Sequence, residues 1–134
     1  AASQGATERL RVLVVDDDAA LRRAFGRMLQ DFHDVVLAES VGAALDLFDA
    51  APFDVVLCDM MMPGQGGIEL YEALQARAPH LVDRVVFVTG GVFTNRATTF
   101  LASVSNLRLD KPLTATQLRD AVRACAEKAR AGAS

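Results

Sequence analysis

Residues 54–67 read Asp-Val-Val-Leu-Cys-Asp-Met-Met-Met-Pro-Gly-Gln-Gly-Gly. The run 54–58 is short, apolar and bounded by aspartates, which fits a strand buried on both faces. Pro63, Gly64, Gly66 and Gly67 then form a loop. Ile68, Tyr71 and Leu74 follow at helical spacing, and Pro79 ends that helix. One strand, one loop and one helix are therefore legible in about 25 residues.

The same unit recurs on both sides. Upstream, Arg11–Val15 is a second apolar run, closed by Asp16, Asp17 and Asp18. Leu21, Phe25, Met28, Leu29 and Phe32 then mark one face of a helix, with Asp17 or Asp18 placed to cap it. Residues 35–37 read as a strand. Ser40 caps a helix whose inner face is Val41, Ala44, Leu45 and Phe48, broken at Pro52. Downstream, 84–88 is a strand and 93–103 a helix, the latter weakened by its threonines. Residues 107–109 form a short strand. Thr114 and Gln117 make a capping box for a last helix lined by Leu118, Ala121, Val122 and Cys125. Five strands alternating with five helices imply an α/β domain, a parallel sheet covered by helices on both faces.

Composition agrees with this. The chain has 134 residues, 51% hydrophobic and 23% charged, which suits one domain with one core. A net charge of −3 gives no broad electrostatic case for nucleic acid. No apolar run approaches the ~20 residues needed to span a bilayer, and the segment before Leu10 is unlike a signal peptide. The chain reads as soluble and cytoplasmic. Cys58 and Cys125 sit in apolar patterns and read as buried free thiols rather than a disulfide. His33 and His80 stand alone, which argues against a zinc site. The chain opens on Ala1 rather than Met, so a processed chain or a piece of a longer one is expected.

In an open parallel sheet, ligands bind beyond the carboxyl ends of the strands. The first strand ends in Asp16, Asp17 and Asp18, the third in Asp59, the fourth in Thr89, and the fifth in Lys111 before Pro112. Glu39, after the second, reads as solvated surface. Each residue has an ordinary explanation: Asp17 or Asp18 as a helix cap, Asp59 as a turn residue, Thr89 as a strand end, Lys111 as a surface lysine. Their joint occurrence on one edge is what carries weight. Lys111 adds to it, because the chain uses lysine only twice and arginine otherwise.

The charges demand a cation. Two carboxylates about 5 Å apart repel by roughly 3 kcal/mol at an effective dielectric near 20. Lys111 supplies one positive charge; a divalent ion supplies two more. Mg²⁺ suits hard oxygen ligands and accepts phosphate oxygens. In such a site a carboxylate can act as nucleophile toward a phosphoryl group, with the Thr89 hydroxyl and Lys111 stabilising its oxygens.

The motifs Val-Val-Asp-Asp (14–17), Leu-Cys-Asp-Met-Met-Met-Pro-Gly (57–64), Val-Thr-Gly (88–90) and Asp-Lys-Pro (110–112) are similar to those of receiver domains of bacterial response regulators and hybrid sensor kinases. The resemblance covers roughly residues 9–130. It implies a flavodoxin-like (βα)5 fold, doubly wound, with strand order 2-1-3-4-5. It implies that Asp59 is phosphorylated, with Thr89 and Lys111 as its catalytic partners. Asp17 would ligate Mg²⁺ directly, Asp16 through water, and Asp59 and the Met61 carbonyl would complete the protein ligands. The Lys111–Pro112 bond is cis in the family. The domain would catalyse its own aspartyl phosphorylation and dephosphorylation. The implied partner is a histidine kinase or phosphotransfer domain, in the same chain or another, without direct nucleic-acid or membrane contact. A weak homodimer is compatible with this.

The expected division is a flexible leader over 1–9, the receiver domain over 10–131 and a tail over 132–134. The stretch from Gly90 to Leu107 resembles receivers at the C-terminus of hybrid histidine kinases, with a stand-alone regulator as the alternative. One departure stands out: Arg108 occupies a position often held by Phe or Tyr, so the usual hydroxyl–aromatic relay cannot operate. Gly91 and Met61, two residues after Thr89 and Asp59, bear on the lifetime of the phosphoryl group. Rival readings are a phosphatase of the haloacid dehalogenase type, whose nucleophile follows the first strand and which carries more chain, a flavin-binding flavodoxin-like protein, and an inert pseudo-receiver. Three aspartates after the first strand would repel a flavin phosphate, and a pseudo-receiver lacks the acceptor or the lysine that this chain has.

Overall fold

The computed structural model describes residues 9–91 and 94–133. The leader expected over 1–9 lies outside these residues apart from Arg9, as does residue 93, where a helix was expected to begin. The order is β1 (Arg11–Val15), α1 (Ala19–Leu29), β2 (Asp34–Ala38), α2 (Val41–Ala50), β3 (Val55–Asp59), α3 (Gly67–Arg77), a 3-10 segment (Pro79–Arg84), β4 (Val85–Thr89), α4 (Asn95–Ser103), β5 (Arg108–Asp110) and α5 (Ala115–Ala133). All pairings are parallel, in the order β2-β1-β3-β4-β5. The expected topology is the observed one.

The apolar runs are strands because both their faces are buried. Alternate residues of β1, β3 and β4 feed two cores. Leu13, Val15, Val56, Cys58, Val85 and Phe87 pack with residues of α2, α3 and α4. Val12, Val14, Val55, Leu57, Val86 and Val88 pack with α1 and α5. Every residue of β3 and β4 is buried, which is why they read as unbroken apolar runs rather than alternating ones. Cys58 and Cys125 are free, buried and on opposite sides of the sheet.

Local chemistry sets the helix starts. Asp18 caps α1 by accepting from the Ala20 and Leu21 N–H groups. Ser40 caps α2 through the Ala43 N–H, and Thr94 caps α4 through the Ala97 N–H. The capping box of α5 is present: Gln117 Oε1 accepts from the Thr114 N–H, and Thr114 Oγ1 from the Gln117 N–H. Gly66 precedes α3 because nothing larger fits. A Cβ there would stand 2.4 Å from the Met60 carbonyl oxygen.

Two details differ from the sequence reading. Pro79 does end α3, but it also begins the 3-10 segment, since a first-turn proline has no N–H to waste. Phe32 falls beyond the end of α1 and is 45% exposed; instead of joining the core it lies under the Arg119 guanidinium, 4.9 Å from its ring centroid.

Candidate functional site

The carboxyl ends of β1, β3, β4 and β5 share one edge of the sheet, and most of the expected residues meet there. Asp16 and Asp17 follow β1; Asp59 is the last residue of β3. Carboxylate oxygens of Asp16, Asp17 and Asp59 lie within 4.8 Å of one another. Asp16 is 2% exposed and Asp59 7%, while Asp17 opens to solvent. Lys111, just past β5, reaches back with its Nζ 3.3 Å from Asp16 Oδ2 and 3.5 Å from Asp59 Oδ2. Its aliphatic stem passes over Gly90, where a Cβ would stand 3.2 Å from Lys111 Cδ. The Lys111–Pro112 peptide is cis.

The acids are held from behind by the backbone. Asp16 Oδ1 accepts from the Asp18 N–H at 2.9 Å, and the Asp16 carbonyl accepts from Arg22 Nη1 at 2.7 Å. Asp59 Oδ1 accepts from the Met61 N–H at a long 3.4 Å. The next residue, Met60, is tied to β4 through its N–H to the Val88 carbonyl. Met61 itself is 41% exposed. Burial raises the Asp59 carboxyl above its ordinary value, and the Asp16 charge adds to this; Lys111 and the Met61 N–H pull the other way without prevailing. An anion that is costly to hold so close to a second one is relieved by a cation between them. The donor set is all hard oxygen, as Mg²⁺ requires, and the side chains present fit such an ion.

Thr89 is placed differently. It ends β4 and is buried, but its hydroxyl is turned toward β5, donating to Asp110 Oδ1 with the Leu109 carbonyl 3.3 Å away. Asp110 is its register partner across the β4–β5 pair. The sequence reading missed Asp110 as a side-chain partner. The only signal for it was its position directly before Lys111, and pairing register is not visible in one sequence. Arg108 is exposed on the same strand. Gly91 has φ +78°, with open space where a side chain would be. A cleft of about 230 Å³, lined among others by Asp17, Glu39, Met62, Pro63 and Gln65, opens beside the acids.

Comparison with known proteins agrees with this geometry. The family model "response regulator receiver domain" matches residues 12–123. The chain is 34% identical over 113 residues to the response regulator protein FleR of Pseudomonas aeruginosa, and 34% identical over 116 residues to the sensor histidine kinase AruS of the same organism. Each match covers 84% of this chain, but the chain spans only 24% of the regulator and 12% of the kinase. It is 30% identical to the chemotaxis protein CheY of P. aeruginosa, covering 84% of this chain and 93% of that protein. A receiver domain protein of Clostridium thermocellum superposes with a TM-score of 0.79 at 26% identity, covering 90% of this chain and 97% of that one.

Proposed function

The chain belongs to the response regulator receiver domain family, and from that premise we propose that Asp59 accepts a phosphoryl group from a phosphohistidine in a magnesium-dependent step. One observation carries the assignment: Asp59 is the acid of the cluster that both ends a buried central strand and faces Lys111, with Asp16 and Asp17 beside it. A carboxylate oxygen of Asp59 attacks phosphorus. The P–N bond of the phosphohistidine breaks, and its electron pair returns to the imidazole, which takes up a proton. Lys111 holds the acceptor and pairs with the incoming phosphoryl oxygens. Thr89 donates its hydroxyl to one of them. Asp17, Asp16 through water, Asp59 and the Met61 carbonyl would hold Mg²⁺, which supplies charge neutralisation at the transferring group.

The residues that carry this chemistry lie within the unit 10–131, which we place on the cytoplasmic side of the cell; none of the described helices is long and apolar enough to cross a membrane. The donor is a histidine kinase or phosphotransfer domain. Sensor kinases and a single-domain chemotaxis protein both appear among the relatives. The resemblance of the segment after Gly90 supports a hybrid kinase as the parent, and the coverage of the chemotaxis protein supports a stand-alone regulator.

Intact-mass measurement after incubation with acetyl phosphate and Mg²⁺ tests the acceptor. A gain of one phosphoryl group in the wild type, lost in Asp59→Asn and in EDTA, is the expected result. A wild-type mass that does not move, together with failure to bind beryllofluoride, would leave an inert receiver as the better reading.

A further inference from the structure

We propose that Asp110 is a positioning residue that holds the Thr89 hydroxyl away from the acceptor until a phosphoryl group is present; this rests on the reading of Asp59 given above. Thr89 has one hydroxyl proton. It is committed to β5, to the Asp110 carboxylate with the Leu109 carbonyl as the nearby alternative. Both acceptors lie on the strand opposite the acid cluster. The two residues are directly opposed in the register, so the bond forms without displacing either backbone. A hydroxyl bound to a carboxylate makes a charge-assisted hydrogen bond, stronger than one to a neutral oxygen. Among the described residues Asp110 has no ion-pair partner, since Lys111 is turned to Asp16 and Asp59. Thr89 therefore supplies the described hydrogen bond to that carboxylate.

The sheet explains why the competition is real. Thr89 shares its side of the sheet with Phe87, which packs against Phe100 and near Tyr71. Asp59 pairs with Val88, whose side chain lies in the opposite core. The hydroxyl must turn from β5 toward β3 to meet a group on Asp59, and it cannot serve both. The affinity for a phosphoryl group is then lowered by the fraction of molecules in which Asp110 keeps the proton. Arg108, two residues earlier and on the same side of β5, leaves no ring for Thr89 to couple to. The carboxylate at 110 takes over that coupling.

Four proteins decide the matter: wild type, Asp110→Ala, Thr89→Ala and the double variant, each titrated with beryllofluoride in saturating Mg²⁺. Asp110→Ala should bind about tenfold tighter than wild type, the size expected for releasing one hydrogen bond to a charged group. A fifth protein, Asp110→Asn, whose amide oxygen still accepts, should gain less. In the Thr89→Ala background, removing Asp110 should change nothing. Equal tightening in both backgrounds would mean that Asp110 acts through its charge alone, and that overturns the proposal. So does an Asp110→Ala protein with wild-type affinity. In metal-free protein, urea unfolding of the same four should show non-additive losses; additive losses mean the resting bond does not exist. If the wild type takes up no beryllofluoride, the acceptor reading fails and the proposal falls with it.

Discussion

The ends of β1 and β3 and the ends of β4 and β5 lie side by side on one edge, yet they differ in how far their polar groups are met by hydrogen bonds. Around β1 and β3 three carboxylates converge with acceptors to spare, and the cation among them, Lys111, is borrowed from beyond β5. Around β4 and β5 the accounts balance: Thr89 donates to Asp110, and the Lys111 N–H donates to the Thr89 carbonyl at 2.7 Å. One half is poised to take up positive charge; the other is satisfied as it stands and must be opened. On the function proposed above, a group taken up at the first half would draw the Thr89 hydroxyl away from the second.

Removing the borrowed cation is the severest test of this contrast. Lys111→Met leaves two buried carboxylates facing each other without a counter-charge, and should lower stability by about 2 kcal/mol, read by urea denaturation in metal-free buffer. Added Asp59→Asn should restore much of the loss. If Lys111→Met unfolds at the wild-type midpoint, the β1 and β3 half was not in electrostatic need.

Asp59→Asn alone should act in the opposite direction. The folded-state pKa of Asp59 is raised, so the native state binds the proton more tightly than the unfolded chain. Stability from this group is therefore full below the unfolded pKa and declines as pH rises through the folded one. At pH 7 the charge is a net cost, and the amide should raise stability by on the order of 1 kcal/mol, or a few degrees in Tm. Near pH 3, with both forms neutral, the advantage should disappear. An advantage that does not change with pH would point to packing instead.

The smallest effect is expected on the satisfied side. Gly90→Ala brings a Cβ to 3.2 Å from Lys111 Cδ, but that neighbour is a flexible stem that can give way. The stability change should stay within about 0.5 kcal/mol. A larger loss would show that the β4 and β5 half is as tightly fitted as the backbone at Gly66.

Much of this edge was legible in the chain because apolar runs stop where charge begins. Val12 to Val15 end at Asp16, and 55–58 end at Asp59, so the acids announced the strand ends that bring them together. Caps at Ser40 and Thr114 were equally plain, being local chemistry within three residues. What escaped depended on partners. β3, β4 and β5 each run one residue past their expected ends, since Asp59 pairs with Val88 and Thr89 with Asp110 in the ladder. Phe32 continued the helical spacing but lies past Leu29, where α1 stops. Asp110 looked like a residue beside a lysine; only the register reveals that it faces Thr89.

The two thiols on opposite sides of the sheet offer a clock for each layer. Burial raises Cys58, with Asp59 and Asp16 adding to it, and burial pushes Cys125 up to about 11, so neither reacts while covered. Modification of Cys58 times the lifting of α2, α3 and α4, that of Cys125 the loosening of α5. A native chain thus carries its own pair of reporters, one for the opening of each layer.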